Sequence, residues 1–284
     1  MTILFDGIAS GMLLFLISSG LSVTLGLMGI INLAHGAFAM LGGYVCVVAL
    51  DRYGIPFPVA VLMATLSAAA AGVALERLVY RRLYGAGQLD QVLFSIGLIF
   101  VSMALARWLF GPQPQPIRLP GWLQGQVQLP WIEIGVYRAF LIVLGLVVAV
   151  TLHRAVGVTR FGARLRAAVD RPAVARGLGI DVDRVFVVAF AIGSALAGLG
   201  GAVGVELLGL DPSFPLRYLV YFLIVVVVGG SGSFEGSLVA SVLIGIFDVA
   251  GKYYVPQVGS FIIYTVMVVM LIVRPQGLFG RPSP

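Results

Sequence analysis

The chain predicts an all-α fold, a bundle of membrane-crossing helices, and three observations predict it. Of its 284 residues 60% are hydrophobic and 11% charged, with a mean hydropathy of +1.06. A soluble domain carries about a quarter of its residues as charged ones. Apolar runs recur along the whole length, each close to the roughly 20 residues that a bilayer-spanning helix needs. Arginine, meanwhile, is concentrated in a few of the stretches between these runs. Residues 1–284 therefore read as one polytopic transmembrane domain.

Apolar segments fall at about 7–30, 37–50, 57–75, 92–110, 136–152, 185–209, 218–230, 238–255 and 260–273. That raw count of nine becomes about eight if the short second segment is only the far half of a broken helix, so the expected number of spans is 8–9. No basic residue precedes the first run in Met1–Asp6, so the first helix is expected to stay in the membrane rather than be cleaved as a signal peptide.

The first two segments meet in Gly26–Tyr44, which reads GLMGIINLAHGAFAMLGGY. Asn32, His35 and Gly36 stand there at a depth where apolar side chains are expected, and Asn32 is the only asparagine in the chain. Backbone in a bilayer core has to satisfy its own hydrogen bonds, so a helix breaks only where protein or a water-filled cavity surrounds it. Polar side chains at that depth are costly and usually mark a solute or ion pathway. A sharp turn between two helices, capped by Asn32 and loosened by Gly36, is the plainer alternative. The pattern favours a broken helix lining a path.

After Asp51–Pro58 comes the third segment. Further on, 111–130 carries Pro112, Pro114, Pro116 and Pro120, which exclude helix and favour extended backbone. Loops rich in arginine stay in the cytoplasm. The stretch 154–184 holds seven arginines against Asp170, Asp181 and Asp183, a net +4; 76–90 is +1, and the tail adds Arg274 and Arg281. These regions are expected inside, with the C-terminus, and the proline-rich loop outside. Such arginines are usual for cytoplasmic loops and also suit anionic membrane lipids, so nucleic acid is not an expected partner.

Within 154–184, residues 159–169 read as a helix extension. Asp170 suits an N-cap and Pro172 a first turn, with a short helix to Leu178 closed by Gly177 or Gly179. Ala173 and Ala175 leave room for close approach, so this stub suits either a docking partner or lipid head groups.

Several enzyme classes are excluded. The only lysine, Lys252, lies in no phosphate-binding loop, so the chain is not its own ATPase. His35 and His153 lack metal-ligand spacing, and with Cys46 alone neither a disulfide within the chain nor a cysteine metal site forms. No metal site and no catalytic residue is expected. In the second half, Gly229-Gly230-Ser231-Gly232 interrupts an apolar run much as the first break does, and paired interruptions point to a transporter site; a tight cytoplasmic turn explains the same glycines. Asp248 and Lys252, four apart on one helix face, are expected to form a structural ion pair rather than a solute contact.

Four blocks carry a resemblance over nearly the whole chain: Gly26–Tyr44, Arg164–Asp181, Gly229–Gly236 and Arg274–Gly280. Together they resemble the permease subunit of bacterial branched-chain amino acid ABC importers of the LivH type. Ala37 departs from the glutamate often found there in the family. The resemblance implies a non-enzymatic subunit in the bacterial cytoplasmic membrane. Its partners would be a LivM-type second permease, two cytoplasmic ATPase subunits of LivG and LivF type that hold the ATP and magnesium, and a periplasmic or lipid-anchored solute-binding protein. It makes 154–184 the coupling loop, with Arg166, Asp170, Pro172, Ala173, Ala175, Arg176, Gly179 and Ile180 as the ATPase-facing set. The solute path would run by Asn32, His35, Gly36 and Gly229–Gly232, carrying branched-chain or other small, mostly hydrophobic amino acids by alternating access. Relatives of this type that carry urea or short amides keep that alternative open. A passive channel of aquaporin type needs two half-helix asparagines and finds one here.

Overall fold

The computed structural model describes residues 2–129, 132–230 and 232–280. Helix α1 (Thr2–Leu21) runs on into a π-helical turn, Ser22–Leu27, and the chain then leaves helix until α2 (His35–Asp51). From Gly11 to Thr24 every residue of this first segment is buried. Its sequence is apolar all round, and such a helix belongs in the middle of a bundle.

Helix α3 (Phe57–Leu75) ends in a second π-helical turn, Glu76–Tyr80, followed by the single turn α4 (Arg81–Leu83) and by α5 (Gln88–Phe110). The proline-rich stretch beyond α5 is extended, as its prolines dictate. A small hairpin then interrupts the otherwise all-α fold: β1 (Gln126–Leu129) pairs antiparallel with β2 (Ile132–Gly135), Gln126 opposite Gly135. Helix α6 (Val136–Gly157) leads to two short helices, α7 (Arg160–Asp170) and α8 (Pro172–Gly177). The rest is α9 (Val182–Leu208), α10 (Phe214–Gly229), α11 (Phe234–Tyr254) and α12 (Gly259–Val273).

Among the described residues six helices are long and apolar enough to cross a membrane, and α2, α10 and the apolar part of α12 are shorter apolar helices. Six long and three shorter apolar helices agree with the expected 8–9 spans, and α2 runs from the break toward the opposite end of the bundle from the π turn. The π turn after α1 lies at one end of the bundle, where Gly26 packs against Gly232. Phe57, just past α2, lies at the other, with its ring 6.4 Å from Trp122 and 6.2 Å from Phe140. Asp6 is at that same end, paired with Arg138 at 2.7 Å, whereas the C-terminal Leu278 donates to the Val228 carbonyl at the first. The first and last described segments therefore sit at opposite ends.

Close backbone approach holds the centre. A Cβ added at Gly20 would overlap the Gly193 carbonyl, and one at Gly42 that of Gly198. Without a hydrophobic force between helices in lipid, small residues that allow such contact provide the packing. Helices α3, α5 and α6 instead expose apolar faces, among them Leu62, Leu66, Leu93, Phe100, Val143 and Val147, the surface expected toward lipid or another chain.

Candidate functional site

The break between α1 and α2 is enclosed by protein. Asn32 and His35 are each 1% exposed, so neither faces open space in this state. His35 Nε2 lies 2.8 Å from the Ile17 carbonyl of α1, and Asn32 Oδ1 accepts from the Tyr80 hydroxyl at 2.8 Å. The freed backbone is met in the same way: the Ile31 N–H donates to Gln91 Oε1 at 3.0 Å, and the Ile30 N–H to the Thr24 carbonyl at 3.1 Å. Gln91 in turn donates to the Leu83 carbonyl at 3.2 Å. Buried polar groups need such partners, and here three elements outside the break supply them. The Asn32 amide nitrogen is buried without a partner among the described residues. Gly36 packs on the Pro215 backbone at the start of α10.

The π turn that opens the break is tied across the bundle, since Ser22 Oγ lies 2.8 Å from Ser237 Oγ of α11. Below it a cavity of about 630 Å³ opens at the end of the bundle, lined by Gly26, Arg166, Asp170, Gly232, Glu235 and Phe279 among others. This brings Gly232 of the second interruption together with Arg166 and Asp170 of the stretch 154–184. A second cavity of about 440 Å³, almost wholly apolar, lies between α2, α3 and α5 and reaches Ala37 and Tyr44.

The second interruption is built differently from the first. Gly229 and Gly236 touch backbone to backbone, and Gly230 packs against Gly277 and Gly280 of the tail. The Phe279 N–H donates to the Gly229 carbonyl at 3.2 Å, and Ser233 caps α11 by accepting from the Gly236 N–H at 3.0 Å. Ser231 lies outside the described residues.

The stretch 154–184 differs from expectation in two ways. Asp170 ends α7 instead of capping α8, whose N-cap is Arg171 with no side-chain bond; α7 itself is capped by Thr159. Ala175 is buried at 2% exposure and faces inward. The outer surface of the stub is Pro172, Ala173, Val174 and Leu178, with Val174 and Leu178 the apolar pair that sequence reasoning passed over. The available signal was two large apolar residues in and just after a short helix within an arginine-rich stretch. Gly179, at φ +80°, reverses the chain after α8, and the Ile180 N–H closes it onto the Ala175 carbonyl at 3.0 Å. Arg166 donates to the Val156 carbonyl, and Arg176 pairs with Asp183 at 3.4 Å.

Far from these, at the opposite end of α11, Lys252 Nζ lies 2.7 Å from Asp248 Oδ2, and Asp248 Oδ1 has no partner among the described residues.

The family described as branched-chain amino acid transport system / permease component matches residues 3–271. The chain is 26% identical to the high-affinity branched-chain amino acid transport system permease protein BraD of Pseudomonas aeruginosa, over 99% of this chain and 95% of that protein. It is also 26% identical to the LivH permease protein of the corresponding system of Escherichia coli K12, with the same coverage. The LivM permease protein of that organism is 27% identical over 96% of this chain and 69% of its own length. No solved structure matches the chain.

Proposed function

We propose a function that proceeds from one premise: the chain belongs to the family of permease components of branched-chain amino acid transport systems, matching it over residues 3–271. That match is the observation that carries the proposal. The chain is a multi-pass membrane permease, and its relatives are named for both the LivH and the LivM position of such systems. We read it as the LivH-type half of an ATP-driven importer, paired with a LivM-type permease, two cytoplasmic ATPase subunits that bind the ATP and magnesium, and a solute-binding protein outside. It has no cofactor and no catalytic residue of its own.

The arginine-rich end, with α7, α8 and the C-terminus, lies in the cytoplasm of a bacterial cell. ATP binding in the partner subunits presses on Ala173, Val174 and Leu178, and the bundle rocks between outward and inward access. A partner shifts such an equilibrium only through its different affinity for the two states. The enclosed cluster at Asn32 and His35 supports a solute path that is closed in this state, and Gly36 on Pro215 is part of the closure. When the break opens, the N-terminus of α2 at His35–Ala37, whose His35 and Ala37 N–H groups here donate to the Asn32 and Ala34 carbonyls, presents a partial positive charge to a solute carboxylate. The amino group and the branched side chain are met elsewhere along the path, which includes Gly229, Gly230 and Gly232.

Uptake in proteoliposomes holding the complete set of subunits tests this. Labelled leucine should accumulate only with ATP inside and binding protein outside. Accumulation of urea or short amides in its place would move the chain to that branch of relatives, and flux without ATP would make it a channel. Orientation is tested separately by impermeant thiol labelling in a Cys46→Ala background. A cysteine replacing the exposed Gln113 should react in intact spheroplasts, and one replacing the exposed Arg164 only after they are opened. The reverse pattern would overturn the coupling assignment.

A further inference from the structure

The coupling stretch and the break lie on different elements, yet a continuous set of contacts joins them. Asp183, Phe186 and Phe190 stand three and four residues apart on α9 and so share one face. Each meets a residue from the π turn and the α4 turn that follow α3. Arg81 pairs with Asp183, the Tyr84 ring meets Phe186 edge-on at 5.3 Å, and the Tyr80 ring lies 4.9 Å from Phe190. At one end of this ladder Asp183 also takes Arg176 of α8. At the other, Tyr80 donates to Asn32 inside the break. The middle of the route is the π-helical turn Glu76–Tyr80. A π turn holds one residue more than α geometry allows, and π turns recur at functional sites. Returning it to α would rotate the chain downstream of it by about 100°, one residue's share of a helical turn. Glu76 is fully buried in this turn, one oxygen taking the Tyr84 hydroxyl at 2.5 Å and the other without a partner among the described residues. Coupling between distant sites needs an element with two discrete arrangements that both sites can bias, and this turn has the form of one.

We infer that Arg81, Asp183 and Tyr80 are positioning residues that relay a push on α8 through the Glu76–Tyr80 turn to the break, an inference that rests on the transport reading above. The ion pair at its start is about half-exposed on both partners, so its loss costs little stability and should act on coupling instead.

The test is a cysteine replacing the half-buried Leu33 of the break, in a Cys46→Ala background, alkylated in the assembled complex with and without ATP. ATP should change the alkylation rate in the parent. Arg81→Gln and Asp183→Asn should each cut that change about tenfold, and the double variant no further, because residues acting as one unit are non-additive. Tyr80→Phe should match them, and Arg81→Lys should keep most of the effect. The inference is overturned by a parent that does not respond to ATP, by single variants that respond as the parent does, by effects that multiply, or by losses that merely track the amount of complex assembled. Leucine uptake by the parent is scored separately: its absence beside an intact alkylation response would sink the solute assignment and leave the relay standing.

Discussion

The chain interrupts its helices twice in similar language, with glycines inside an apolar run, and the two interruptions are held by different means. At residues 28–36 the side chains do the holding: His35 on Ile17, Asn32 under Tyr80, Gln91 on the Ile31 N–H. At 229–236 it is backbone, with Gly229 on Gly236, and the tail laid along Gly229 and Gly230 by main-chain hydrogen bonds. The first arrangement depends on individual polar contacts that a movement can trade one by one. The second depends on the absence of side chains, so it has no graded response to substitution. A segment that trades contacts as it moves is better built in the first way, and a fixed wall beside a path in the second.

The largest effect should therefore come from the second interruption. A Cβ at Gly236 would overlap the Gly229 carbonyl, and neither neighbour is a flexible side-chain tip that could move aside. Overpacking of that kind costs about 1–3 kcal/mol or more. Gly236→Val should abolish co-purification of the partner subunits, with little folded permease left in the membrane. Normal assembly of this variant would mean that the contact is loose, and the contrast between the two joints would fail.

Substitution in the first break should be milder for assembly and harsher for transport. Asn32→Leu keeps the approximate size but leaves the buried Tyr80 hydroxyl without its acceptor, a cost of about 1–3 kcal/mol. The complex should still assemble, melting earlier, while leucine uptake falls about tenfold or more, the equivalent of about 1.4 kcal/mol. His35→Ala, which removes the bond to Ile17 across the bundle, should behave alike. Should either variant instead prevent assembly, the polar cluster is a static clip and 28–36 belongs with the second joint.

Much of this was legible in the sequence, and the rest was hidden for physical reasons. An asparagine and a histidine amid apolar residues announce the break because lipid-depth backbone cannot be left unsatisfied, and an all-apolar first helix announces its central place. The partners were not legible. Tyr80 and Gln91 are 48 and 60 residues away from the groups they satisfy, and nothing local distinguishes them from any other tyrosine or glutamine. Direction was hidden too. Ala175 and Ala173 look equivalent in a helix of one and a half turns, yet one is buried and the other exposed, which the packing of α8 on its neighbours decides. The eight-or-nine ambiguity came from α2, whose 17 residues are short for a full pass, so hydropathy alone does not separate a span from the far half of a broken helix.

The smallest effect separates conformation from packing within the same comparison. Gly29 opens the first break at φ +68°, and nothing lies within 4 Å of where its Cβ would be. Gly230 has φ +96°, but its Cβ would press on the backbone of Gly280. An ordinary side chain at Gly29 carries the left-handed penalty of about 1–2 kcal/mol, whereas Gly230, at ψ 124°, lies outside that well in backbone that glycine alone adopts readily and carries a steric clash as well. Gly29→Ala should accordingly lower the melting temperature of the complex slightly and leave uptake near the parental rate, while Gly230→Ala should cost clearly more. Asparagine tolerates this region best among non-glycine residues, so Gly29→Asn should be milder than Gly29→Ala, a rank order that backbone strain predicts and crowding does not. If Gly29→Ala proved as damaging as Gly230→Ala, space around the first break would close at some point in the cycle. The opening of 28–36 would then have to move Gly29 against a neighbour that this state keeps away from it.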